Sequence, residues 1–283
     1  MKIWWLDYHP VYNTVSFVNY DEGKKVRELV QDANPLVGNW KTYNVILDNK
    51  EKPSVILNAV GGALIVSERA KEIISQTPNL NVEFLPLTNT EGESEFFVLN
   101  VLTVLNCVDP NHSKEKRLGS SNLLIDYEEL ELFKDVVQDN DIFRIMLHEG
   151  NKILTKIYVS DRLKEMIENH LKGYQLVEMW DSEFSWKQKE EKYVSMCEEI
   201  NISLKVTFDF QKAIDYIQKN KGQIVFSGKW ALKVDEENEI LLGQLVLDGT
   251  YSWINPVYYP PVILGLTWGI KEKKKSLFSI FNL

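Results

Sequence analysis

Short apolar runs broken by polar turns fill the chain, and the spacing of their apolar positions switches between two and nearly four residues. Residues 3–8 and 14–20 flank a His9-Pro10 turn and predict an N-terminal hairpin. Residues 41–47 alternate and stop at the turn Asp48-Asn49-Lys50. Residues 95–105 predict a long apolar strand running out toward Asp109-Pro110-Asn111. Residues 142–147 lead through His148-Glu149-Gly150-Asn151 into a returning strand at 152–159.

One pattern occurs twice. ALIVSERAKEII at 63–74 aligns with KIYVSDRLKEMI at 156–167, and six of the twelve positions are identical. In each copy a buried-strand triplet ends at a serine, Ser67 or Ser160, whose hydroxyl can accept from the first free amides of a helix. Glu68 and Asp161 follow, where a carboxylate meets the positive end of the helix dipole. Arg69, Lys71, Arg162 and Lys164 fall on the wet side; Ile73, Ile74, Met166 and Ile167 face a core. A further strand follows each helix, at 82–87 and 174–179. Two copies are too few for a solenoid, which needs about three stacked repeats. They predict an α+β fold of mixed sheets with a pseudo-duplicated strand–helix–strand unit.

Beyond residue 182 the pattern changes. A helix is expected over 183–200 and a strand over 203–208. Asp209 then caps a helix over 210–220, with Ala213, Ile214 and Ile217 on one face and Lys221-Gly222 as its stop. Strands at 224–226, 230–234, 240–247 and 262–268 complete a smaller α+β domain.

Charge sharpens that division. The 283 residues carry 41 acidic and 32 basic side chains, a formal net charge of −9. The whole excess lies in residues 1–182, with 28 acids and 19 bases; residues 183–283 hold 13 of each, no arginine, and Trp186, Trp230, Trp253 and Trp268. Two domains are expected, 1–182 and 183–283. The acidic balance argues against nucleic acid as a partner, because such binders displace counterions with a basic patch. No apolar run approaches 18 residues, so no membrane span is expected. Asp7 and His9-Pro10 interrupt any export signal at the N-terminus. Cys107 and Cys197 stand outside any CxxC or Cys/His pattern, as expected of reduced thiols in a cytoplasmic protein.

Candidate chemistry is sparse. His9, His112, His148 and His170 form no HxH or HExxH pair, and no glycine-rich phosphate loop or GxSxG elbow occurs. No catalytic residue, cofactor or metal site is therefore expected. The densest charge lies at 126–141, where Asp126, Glu128, Glu129, Glu131, Asp135, Asp139 and Asp141 face a single lysine, Lys134. Leu130, Phe133, Val136 and Val137 recur at helical spacing, which predicts an amphipathic helix with the acids on its exposed face. Such a face is either merely solvated or a docking surface for a basic partner. Trp253, Tyr258 and Tyr259, set among prolines, either close the core of the smaller domain or form an exposed aromatic platform. The basic run 271–275 followed by apolar 276–281 suggests a segment that docks its apolar face.

FFVLNVLTVLNCVD at 96–109, with Ser113 after it, resembles a stretch of the immunity proteins of bacterial polymorphic-toxin systems. So do IFRI at 142–145, KIYVSDRLKEMI at 156–167 and GYQLVE at 173–178, so that the resemblance covers roughly residues 57–182. It implies a non-catalytic protein that binds a cognate protein toxin and occludes its active site. An acidic inhibitor would be steered toward a basic toxin surface, with the seven acids of 126–141 as the expected contact. Two alternatives stand beside it: a hydrolase using carboxylates from separate strands, and a carbohydrate- or peptide-binding module in residues 183–283.

Overall fold

The computed structural model describes residues 1–48, 52–92 and 94–271. The chain divides into two compact units, Met1–Trp186 and Lys187–Leu283. In chain order the first unit begins with β1 (Lys2–Tyr8), β2 (Thr14–Phe17), α1 (Tyr20–Val30), β3 (Tyr43–Asp48) and β4 (Ile56–Val60). It continues with β5 (Ala63–Ser67), α2 (Glu68–Ile74), β6 (Val82–Asn89), β7 (Phe96–Val101) and β8 (Val104–Leu105). Then come β9 (Lys114–Leu118), β10 (Leu123–Glu129), the one-turn α3 (Lys134–Val137) and β11 (Ile142–Ile145). Last are β12 (Ile157–Ser160), α4 (Asp161–His170) and β13 (Tyr174–Asp181). The strands form a five-stranded sheet, β13-β1-β12-β11-β8, a six-stranded sheet, β2-β3-β6-β7-β5-β4, and a β9–β10 ribbon. The class is α+β with mixed sheets.

The repeated sequence is a repeated structure. β5 and β6 both pair antiparallel with β7, which lies between them, and β12 and β13 both pair antiparallel with β1. Each copy is thus a split strand–helix–strand unit whose two parallel strands receive a third from elsewhere in the chain. Ser67 Oγ accepts from Ala70 N–H and Ser160 Oγ from Leu163 N–H, from nearly identical backbone angles (φ −74°, ψ 165° and 167°). Removing Ser67 Oγ should cost about 1 kcal/mol. Ser160→Ala should cost more, because Ser160 Oγ also donates to Asp141 at 2.6 Å. Denaturant midpoints of the two alanine variants check this; an equal loss would deny Ser160 its second role.

Both faces of the central strands are covered. On β5, Leu64 and Val66 enter a core shared with α2, α4, β1 and β12, whereas Ala63 and Ile65 enter a second core beneath α1. Phe97 and Leu99 of β7 face the first, Phe96 and Val98 the second. On β12, Ile157 and Val159 join the shared core, while Tyr158 joins a third with Phe143, Leu124 and Tyr127. Two-sided burial explains why these strands read as unbroken apolar runs rather than alternating ones.

It also corrects two expectations. Residues 3–8 and 14–20 do not form a hairpin: β1 is a central strand of one sheet, β2 an edge of the other. β1 sends Ile3 to one core and Leu6 to another, and a two-stranded hairpin would leave one of those faces bare. The expected long strand at 95–105 is broken after Val101, and its second part, β8, crosses to pair in parallel with β11. The helix α1, capped by Asn19 on Asp21 N–H, was not expected. The turn at Asp48-Asn49-Lys50 lies outside the described residues past Asp48, as does the 271–281 segment past Lys271.

Among the described residues one charge is fully buried. Arg144 on β11 has no exposed surface. Its guanidinium donates to the carbonyls of Leu154 (3.1 Å), Val30 (2.9 Å) and Gln31 (2.8 Å), the last two at the C-terminal end of α1. Burial pushes its pKa down to about 10, so it remains a cation at neutral pH.

The second unit comprises α5 (Trp186–Ile202, whose first residue ends the first unit), β14 (Leu204–Phe208), α6 (Phe210–Lys219), β15 (Val225–Ser227) and β16 (Trp230–Val234). β17 (Ile240–Leu245), β18 (Tyr251–Ile254), α7 (Pro261–Leu264) and β19 (Trp268–Lys271) follow. The sheet runs β14-β19-β15-β16-β17-β18. Asp209 Oδ1 caps α6 by accepting from Lys212 N–H at 2.8 Å, and Ala213, Ile214 and Ile217 pack with Val225, Leu232 and Trp268. The strand expected at 262–268 is instead α7 followed by β19. Pro261 explains this, since proline at the first helical position has its φ preset and needs no amide partner.

Candidate functional site

The acidic segment is not a helix. Residues up to Glu129 belong to β10, Leu132 makes an isolated bridge with Val108, and only Lys134–Val137 form a helical turn. Two register shifts in β10, at Leu124/Asp126 and Tyr127/Glu129, bring the buried residues Leu124, Tyr127 and Leu130 to a spacing of three. A bulged strand thus imitates the period of a helix.

The seven acids separate by environment. Asp141 is buried, at 8% exposure; it accepts from Ser160 Oγ at 2.6 Å and from Arg162 Nε at 2.9 Å, with Arg162 Nη2 closing the fork. Asp126 is half-buried against Lys156 Nζ at 2.6 Å. Glu131 accepts from Trp180 Nε1 at 2.7 Å, and its backbone N–H donates to Ser113 Oγ. Glu128 is exposed and paired with Lys114 at 2.7 Å, whose ammonium holds its carboxyl below the usual range. Glu129, Asp135 and Asp139 are exposed, without an ion pair among the described residues. Phe133, just before α3, is exposed among them, and the far end of the ribbon exposes Leu118 and Leu123. The structure therefore leaves a smaller acidic face with apolar neighbours.

Next to this face Glu115, His148 and Glu149 bring one potential ligand atom each within 4.8 Å of one another. Arg117 already fills the set: Nε donates to Glu115 at 2.6 Å, and Nη1 and Nη2 fork onto Glu149 at 3.1 and 2.8 Å. The guanidinium holds the Glu149 carboxyl below its usual range and puts positive charge where a metal ion would need to approach. Tyr127 Oη shares a hydrogen bond of 2.8 Å with His148 Nδ1, fixing the ring. This donor set does not fit a metal; it is an ion-pair network bracing the ribbon.

The cavities offer little convergent acid–base chemistry. A groove of about 530 Å³ in the second unit is lined by Trp230, Leu242, Ile254, Val257, Tyr258 and Ile263, without an acid or histidine. Another of about 220 Å³ holds Asp126 beside Lys152 and Lys156. Tyr258 is 73% exposed, but Trp253 packs over Gly243 with Tyr251 beside it, and Tyr259 stands edge-on to Phe210 at 5.0 Å. The three rings serve different partners rather than one platform. Cys107 is buried, and desolvation pushes its thiol up to about 12, leaving it inert; Cys197 is also free. No helix of the described residues is long and apolar enough to cross a membrane.

A family model described as "Immunity protein family (Imm11)" matches residues 33–184, more than half of the chain. No curated protein matches.

Proposed function

The chain belongs to the Imm11 immunity protein family, and on that premise we propose that it neutralises a cognate toxin by binding it stoichiometrically and covering its active site. The family match carries this reading. Several features of the chain are compatible with it. The first unit holds the whole net negative charge, its exposed acids Glu129, Asp135 and Asp139 flank exposed Phe133 along the chain, and its His148 cluster is already filled by Arg117. A mixed acidic and apolar face suits recognition of a basic enzyme surface, with charge setting the approach and apolar anchors the residence time.

The test is the association rate with the toxin encoded beside it, measured at low and physiological salt. The triple variant Glu129→Lys, Asp135→Lys and Asp139→Lys should associate about tenfold more slowly at low salt while its thermal midpoint stays unchanged. An unaltered rate constant would remove this face from the interface. Failure of any toxin to co-purify would remove the reading itself.

A further inference from the structure

The six-stranded sheet curls until its two margins, β2 and β4, meet without forming a ladder. Asn58 Nδ2 on β4 donates to the carbonyl of Val15 on β2 at 2.9 Å, a side-chain clasp where a barrel would have a strand pair. The seam stays open beside this clasp as a cavity of about 340 Å³. Its walls are Phe17 on β2, Asn58 and Val60 on β4, and the α1 stripe Tyr20, Lys24 and Arg27.

Close approaches at two glycines shape these walls. A Cβ on Gly61, at φ +57°, would lie 2.5 Å from the Arg27 carbonyl oxygen and 2.8 Å from its Cγ, so only glycine lets the Arg27 stem rest on this turn. A Cβ on Gly23 would meet the Phe17 ring at 3.0 Å, so the ring lies directly against the helix. Lys24 and Arg27 have no acidic partner among the described residues, although residues 1–182 carry a large acidic excess. β2 pairs on one side only, and Val18 N–H bonds to Asn44. The antiparallel alternation therefore turns the Phe17 backbone groups toward the seam. Two cations without an acidic partner among the described residues, two rings and the outward-turned Phe17 backbone converge on one cleft.

We propose that this seam binds a small phosphate monoester with a planar ring. The dianionic phosphate sits between Lys24 and Arg27, and the ring lies against Phe17 and Tyr20. The proposal does not depend on toxin binding.

Phenyl phosphate and inorganic phosphate titrated into the full chain, followed by amide shifts, test it. Phenyl phosphate should give saturable shifts confined to α1, β2 and β4, with inorganic phosphate at least about tenfold weaker for want of the ring. The double variant Lys24→Gln and Arg27→Gln should lose about tenfold or more in affinity at an unchanged thermal midpoint, because both head groups are exposed. Tyr20→Ala should narrow the gap between the two probes. Shifts scattered over other lysines, or full affinity in the double variant, would overturn the proposal.

Discussion

Arg144→Met should lower the stability of the first unit by about 3–5 kcal/mol. Methionine fills most of the volume, so the loss is chiefly polar. The carbonyls of Val30 and Leu154 would each lose a charged donor in buried hydrogen bonds, and that of exposed Gln31 would lose a third that water can replace. An orphaned buried acceptor costs about 1–3 kcal/mol, and two share this fate. Val30 and Gln31 end α1, where the cation also offsets the negative pole of the helix. Hydrogen exchange should therefore rise first in α1 and at the Gly61-Gly62 turn. The latter packs so tightly that a Cβ on Gly62 would sit 2.3 Å from Arg144 Nη2. A urea-unfolding loss below about 1 kcal/mol would mean that the carbonyls find other donors.

Asp141→Ala should cost about 2–3 kcal/mol, although Asp141 belongs by sequence to the acidic segment. Its carboxylate takes the Ser160 hydroxyl, which caps α4, together with the Arg162 fork. Arg162 is largely exposed and can rehydrate, so the cost stays below that of a buried pair. Asp135→Lys, a few residues away and exposed, should leave the denaturant midpoint within experimental error. If both variants proved equally stable, the division of the seven acids into bracing and surface groups would be wrong. The comparison needs only purified protein and no partner.

Elements whose cause is local were legible in the sequence. The serine caps, the Asp209 cap and β16 follow from a handful of adjacent residues, and the duplicated strand–helix–strand unit followed from their repetition. What escaped depends on distant partners. Nothing near Ile3 announces that β1 will lie between β12 and β13. The helical reading of 126–141 failed because two bulges reset the apolar spacing, and bulges are set by pairing with β9. The acids could not be sorted beforehand, since Lys156, Trp180 and Arg162 lie 30, 49 and 21 residues from Asp126, Glu131 and Asp141. The seam cavity left only Gly61-Gly62 as a trace, and a glycine pair reads first as a turn.

The order of strands in the second split unit sets a schedule for folding. Trp4 lies 157 residues before Asp161, the residue its indole N–H reaches. At ribosomal speeds of about 5–20 residues per second, β1 waits on the order of ten seconds or more before β12 and β13 exist to receive it. The first copy has no such delay, because β5, β6 and β7 emerge together. Synthesis therefore passes through an interval in which the strands of the first copy can pair while Ile3 and Leu6, and the Leu64 and Leu99 side of β5 and β7, still await the partners that cover them, the period when a chaperone or an encountered apolar surface competes hardest for them.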